Sequence, residues 1–186
     1  MEWICLDFIN SDCRNWRGSG QREDRLTKPE WWQYFANKWE LQVPLPSDPK
    51  LLLALRELRQ QMRNVVEAVA KGEPPDAGDL HGINQAIAAV PSYRRVVHQP
   101  DGFRVEEVVL GEGWDLVMGR IAASFAELLA DADLRRLKIC ENRSCLWVYF
   151  DESRNRSSRW CDDKTCGNLM KVRRFRERQK NKGEGD

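Results

Sequence analysis

The longest periodic stretch of the chain lies between residues 49 and 71. Leu51, Leu52, Leu55, Leu58, Met62, Val65, Val66 and Val69 recur at spacings of three and four, which lines them along one face of a helix. Ser47-Asp48-Pro49 starts it, and Gly72 with Pro74-Pro75 stops it. A shorter helix is predicted over residues 76–90, with Leu80, Ile83, Ile87 and Val90 on one side, and another over 114–130. Thr27-Lys28-Pro29-Glu30 marks an earlier start; Trp31, Trp32, Phe35 and Trp39 follow, and Pro44 and Pro46 end that helix. Residues 3–10 read as a short helix or apolar segment, and the polar stretch 14–27, with Gly18 and Gly20, as a loop. Residues 93–98 and 103–110 are β-rich runs joined by Gln99-Pro100-Asp101-Gly102, a hairpin signal, and Gly111 to Gly113 break the second run. No internal repeat is visible. Residues 1–133 are therefore predicted to form an α+β domain, mostly helical with one β-hairpin.

Eight tryptophans in 186 residues require a substantial core or interface to cover them. A hydrophobic fraction of 41% and a charged fraction of 32% describe a globular chain, more charged than most. The opening Met1-Glu2-Trp3-Ile4-Cys5-Leu6-Asp7 has no basic stretch and is interrupted by acids, so no signal peptide is expected. No apolar run approaches the ~20 residues that span a bilayer. A cytoplasmic protein without a membrane partner is expected, and in that compartment clustered cysteines point to metal before disulfides. The net charge of +1 hides a division: residues 1–133 hold 15 Lys and Arg against 21 Asp and Glu, while residues 134–186 hold 15 against 8. An acidic body with a basic tail suits a polyanionic partner, and equally a tail whose charges only solvate it.

The tail holds Cys140-x4-Cys145 and Cys161-x4-Cys166, separated by fifteen residues. Each pair fits a tight loop, and two facing loops can offer four thiolates to one tetrahedral ion. Gly167, directly after the last ligand, suits a turn with positive φ and close amide–sulfur approach. Two disulfides are disfavoured by the compartment and a redox pair by the absence of C-x-x-C; an iron–sulfur cluster stays open beside zinc. A four-cysteine site is closed, so one structural zinc ion is expected, with no catalytic role. Cys5 and Cys13 read as ordinary buried residues.

The block from Cys140 through Cys145-Leu146-Trp147, Phe150-Asp151-Glu152-Ser153-Arg154-Asn155, Arg159-Trp160-Cys161 and Cys166-Gly167-Asn168 to Lys171-Val172-Arg173-Arg174-Phe175 resembles the CGNR zinc-finger family. A weaker echo is Leu6-Asp7-Phe8-Ile9-Asn10, similar to the LDFVNT-type opening of that family. The resemblance spans essentially the whole chain. It implies an ABATE domain over residues 1–133, a zinc finger over 134–186, and a bacterial transcription regulator. Leu169 stands where the name-giving tetrapeptide has arginine, and the four ligand positions are intact.

From residue 168 the chain reads as a basic helix. Leu169, Val172 and Phe175 are expected to pack on the zinc loops, leaving Lys171, Arg173, Arg174, Arg176, Arg178 and Lys180 on the other faces. Arginines suit phosphates and guanine edges, so these residues, with Arg154, Arg156 and Arg159 between the cysteine pairs, are the candidate nucleic-acid contacts. In the body, His81 and His98 have no paired Ser, Cys or acid nearby in sequence, and no phosphate loop or nucleophile elbow occurs, so no enzyme is expected. Asp7 and Asn10 share a helix face and either line a ligand pocket with tryptophans or satisfy a helix end; the latter is the simpler reading. The expected function is a zinc-dependent DNA-binding regulator whose body senses a small ligand or forms a homodimer. RNA in place of DNA stays open, and a protein–protein adaptor with a purely structural zinc is the alternative.

Overall fold

The computed structural model describes residues 2–183, with side chains described as far as Lys180. Met1 and residues 184–186, which the expected domain bounds include, lie outside the described residues. Six helices and three two-stranded antiparallel sheets are present among them.

Helix α1 (Ile4–Ile9) buries Ile4, Cys5, Leu6, Phe8 and Ile9. Helix α2 (Pro29–Trp39) takes proline in its first turn and buries Trp31, Trp32 and Phe35; Trp31 stacks on Phe35 and Trp32 meets both edge-on, at centroid separations of 4.8 to 5.7 Å. It ends before the prolines, at a left-handed Glu40, with Leu41 N donating to Ala36 O at 2.9 Å. Helix α3 (Pro49–Lys71) is capped by the Asp48 carboxylate on Lys50 N and closed by Gly72 at φ +73°. Its face Leu55, Leu58, Met62, Val65 and Val66 is buried, as its spacing predicts. Asp76 caps helix α4 (Ala77–Ala88), which packs against helix α5 (Gly113–Asp131). A side chain at Gly119 would stand 2.7 Å from Val90 and 3.2 Å from the Ala86 carbonyl, so glycine is what lets these two helices close.

Residues 14–27 are not a loop throughout. Strands β1 (Asp12–Arg14) and β2 (Arg22–Asp24) pair with Cys13 opposite Glu23, and a 3-10 turn, Arg25–Thr27, follows. The strands are three residues long and polar, so they carry no hydrophobic alternation. They are fixed by long-range groups instead. Asp24 caps Leu26 N and receives Arg56 and the buried Arg59 at 2.7 Å each; Arg59 also donates to Ser11 Oγ at 2.9 Å. Strands β3 (Ser92–Gln99) and β4 (Gly102–Val109) form the expected hairpin in full register. One of its faces, with Val96, Phe103 and Val105, is exposed.

Helix α5 ends at Asp131, and a 3-10 turn, Leu134–Arg136, leads into β5 (Leu137–Ile139), which pairs with β6 (Val148–Phe150). Leu137 and Val148 belong to the same core as α1, α3 and α5, with Leu134, Ile139 and Phe150 packed on it. The basic helix α6 (Asn168–Gly183) follows. The architecture is α+β, mostly helical with small antiparallel sheets, and the four-cysteine segment and a basic helix complete the chain. Among the described residues, no helix is long and apolar enough to cross a membrane.

Candidate metal centre and its cationic surface

Strand β5 delivers Cys140, and the turn back to β6 carries Cys145. Cys140 N donates to Trp147 O at 2.8 Å, Cys145 N to Asn142 O at 2.7 Å and Leu146 N to Asn142 O at 3.2 Å. Leu146 adopts φ +55°, an unusual conformation for a non-glycine residue. Its carbonyl accepts Arg63 Nη2 from α3 at 2.8 Å, so the body braces the turn. Cys166 lies in a π-turn, Asp163–Gly167, opened by the Asp162 carboxylate on Thr165 N at 2.7 Å. Gly167 is not at positive φ. It is buried, and a Cβ there would stand 3.0 Å from Asp163 Oδ1 and 3.1 Å from the Trp160 ring, so closeness rather than handedness demands glycine.

The sulfurs of Cys140, Cys145, Cys161 and Cys166 all lie within 4.8 Å of one another, with Cys145 and Cys161 at 3.8 Å. Tetrahedral zinc–thiolate bonds of about 2.3 Å place neighbouring sulfurs about 3.8 Å apart, so the cage fits the ion. No disulfide joins them. The thiols interact strongly: contacts with Cys145 and Cys161 draw the Cys140 thiol far down, while contacts with Cys140 push Cys145 and Cys161 up. Adjacent thiolates repel, and a divalent cation among them is what permits all four to ionise. Asn142 Nδ2 donates to Cys166 Sγ at 3.4 Å and to Trp16 O at 2.9 Å, binding the cage to the body. Trp16, Trp160 and Met170 wall the cluster. Cys5 and Cys13 stand apart from it: Cys5 is buried, with its thiol pushed up to about 12 by desolvation, and Cys13 is half-buried.

Between the cysteine pairs, Lys138 Nζ reaches Asp151 Oδ2 at 2.6 Å, Arg156 O at 2.5 Å and Ser158 O at 3.0 Å. Burial opposes ionisation of Asp151, yet Lys138 and Ser153 hold its carboxyl at about 2. The candidate contacts are unequal. Arg156 pairs with Asp133 at 3.3 Å, and Arg159 forms a two-pronged pair with Glu141 and lies over Trp160. Arg173 is half-buried and donates to Arg17 O at 3.2 Å, whereas Arg174 lies over Trp160 at 5.7 Å. Arg154, Lys171, Arg176 and Arg178 are exposed.

Leu169 is half-buried, but the expected packing of Val172 and Phe175 on the zinc loops does not occur. Val172 is 39% and Phe175 62% exposed. Helix α6 grows directly out of the turn holding Cys166, so the residues at i+4 and i+7, Met170 and Arg173, face the cage. Asp7 accepts Trp39 Nε1 at 3.0 Å and Lys38 Nζ at 2.7 Å. Asn10 grips the backbone of Val148, giving Nδ2 to its carbonyl and taking its N–H on Oδ1, both at 2.8 Å. Both side chains thus make structural contacts, in keeping with the simpler of the two readings. His81 and His98 are exposed, the latter edge-on to Phe103. Arg63, Trp16, Asn142 and Lys138 went unsuspected in the sequence; only Asn142, inside a cysteine pair, carried a signal.

Residues 2–132 match the model of the ABATE family, described as "Putative stress-induced transcription regulator". Residues 136–179 match the CGNR zinc finger. A search of curated proteins gave no match. The zinc-finger match and the sulfur cage together make the cofactor one structural zinc ion.

Proposed function

The chain belongs to the ABATE family and carries a CGNR zinc finger, and from that premise we propose that it is a cytoplasmic transcription regulator that binds DNA through α6 and the zinc cage. One observation carries the reading: α6 holds seven cations against the single acid Glu177, and Lys171, Arg176 and Arg178 project from a helix whose base is locked to the cage. Zinc orders the cage, the cage fixes the first turn of α6, and the helix is thereby held rigidly for a groove. Arg154 adds a backbone contact, whereas Arg156 and Arg159 serve chiefly to shape the loop through Asp133 and Glu141. The body provides regulation, by pairing with a second copy through the exposed β3–β4 ribbon or by responding to a small ligand.

A second reading has its own support. Val172 and Phe175 expose apolar area on the same helix, which suits a protein partner. Fluorescence anisotropy with labelled random duplex DNA, at low and physiological salt and with or without a chelator, separates the two. Binding that is chelator-sensitive, with log K falling against log salt by about 0.9 per phosphate contacted, supports the regulator. Absence of binding at low salt refutes it and leaves the adaptor.

A further inference from the structure

The body contributes cations of its own beside α6. A groove of about 690 Å³ runs along the β1–β2 hairpin and its connecting loop, lined by Arg14, Arg17, Arg22 and Lys28 together with Glu23 and Asp24. Asp24 is turned to Arg56 and Arg59, and Arg22 is paired with Asp12. Arg14 and Arg17 have no carboxylate within ion-pair distance among the described residues. This concentration runs against the composition of residues 1–133, which are net acidic.

The loop is preformed. Asn15 N donates to Gln21 O at 2.9 Å, Arg17 N to Asn15 Oδ1 at 3.0 Å and Gly20 N to Asn15 O at 3.3 Å. Its carbonyls are spent on the zinc module: Trp16 O takes Asn142, which also touches Cys166, and Arg17 O takes Arg173 from α6. Gly18, at φ +141°, lies where a Cβ would stand 3.0 Å from the Arg173 guanidinium. The loop is thus fastened to the metal cage and to α6 by its backbone. Its Arg17 side chain lies over the Trp16 ring, 5.2 Å from the centroid, and stays exposed.

We propose that the β1–β2 hairpin is a second arm of the nucleic-acid surface, in which Arg14 at the end of β1 and Arg17 on the loop hold phosphates of the duplex whose groove α6 enters. This rests on the DNA-binding reading above. Two features point to a phosphodiester backbone. The groove is open and polar, and its positive charge comes chiefly from arginines held on a hydrogen-bonded hairpin. Arg173, a candidate base or phosphate contact from sequence, is in this scheme a positioning residue that hooks the arm to the helix.

The test uses the zinc-loaded full chain and labelled duplex DNA over a salt series. Arg14→Ala/Arg17→Ala is expected to weaken binding about tenfold near physiological salt and to flatten the log–log salt slope by about 2, since two phosphate contacts are lost. Arg14→Gln/Arg17→Gln gives the same result with less loss of packing, and zinc content confirms that the cage is intact. Lys50→Ala/Arg120→Ala, which removes equal charge from exposed positions on α3 and α5, is expected to leave the slope unchanged. The arm is overturned if the wild type binds steeply and both loop variants match it in affinity and slope. It is also overturned if the Lys50/Arg120 variant loses as much, because long-range charge alone would then account for the effect. A wild type that binds no DNA at low salt overturns the regulator reading and the arm with it.

Discussion

Replacing Asn10 should cost the protein more than its distance from the metal suggests. Cys140 N donates to Trp147 O and Asp151 N to Arg136 O, so the β5–β6 ladder alternates in a way that turns the N–H and C=O of Val148 away from β5. Asn10 receives both, at 2.8 Å each, and is itself only 3% exposed. Its amide thus stands in for a third strand. Asn10→Ala leaves one buried donor and one buried acceptor, each costing about 1–3 kcal/mol, for a total of about 3 kcal/mol. Asn10→Asp keeps an acceptor for Val148 N–H but sets a carboxylate oxygen against the Val148 carbonyl, and should be no milder at neutral pH. Urea unfolding of the zinc-loaded chain reads this directly: with a slope of about 2 kcal/mol/M, the midpoint falls by about 1.5 M. A shift below about 0.5 M at unchanged slope would mean that water replaces the amide, and the third-strand reasoning would be wrong.

Other consequences follow from the same contacts. Cys161→Ser should abolish stoichiometric zinc and the hydrogen-exchange protection of the first turns of α6; a variant retaining both would refute the ligand assignment. Asp24→Asn strips the partner from the buried Arg59 and should destabilise the chain by about 3 kcal/mol at pH 7. Burial opposes ionisation of Asp24, but Arg59 and Arg56 hold its carboxyl below the usual range, so this stabilisation is full above about pH 4 and lost as pH falls through the lowered value. The gap between wild type and variant should therefore narrow in acid denaturation series below about pH 4, and a constant gap would contradict the ion-pair account. Arg63→Met keeps the packing of α3 but frees Leu146 O, and should speed zinc loss to a competing chelator about tenfold. An unchanged rate would show that the left-handed turn holds without the body.

The contacts most legible in the sequence were those made by residues near one another in the chain. The α3 face announced itself because one helix buries one stripe, and the sulfur cage because each pair of ligands shares one short loop. Asn10 and Val148 are 138 positions apart, and Trp16 and Asn142 are 126, so no local pattern could pair them. Helix α6 shows the limit most plainly. Its apolar spacing suggested that Leu169, Val172 and Phe175 turn inward, but the geometry is fixed by Cys166, whose helical successors are Met170 and Arg173. A covalent starting point outranks hydrophobic spacing when the helix has little core to reach. The β3–β4 ribbon is the converse case, where alternation gave the strands correctly but could not say what covers Val96, Phe103 and Val105.

These long-range ties bear on what zinc stabilises. Leu137 and Val148 lie in the main core, Arg63 reaches from α3 to the cage, and Asn142 joins Cys166 to the β1–β2 loop. The free energy of metal binding is therefore not confined to the last fifty residues. Loosening the cage is therefore expected to weaken the hold of Asn10 on Val148, to expose the edge of the core beside α1 and α3, and to release the hairpin that carries Arg14 and Arg17. A module joined only by a linker would leave the body indifferent to the metal. Here Asn142 ties Trp16 O to Cys166 and Arg173 ties Arg17 O to α6, so loss of zinc is expected to loosen the basic loop of the body together with the helix.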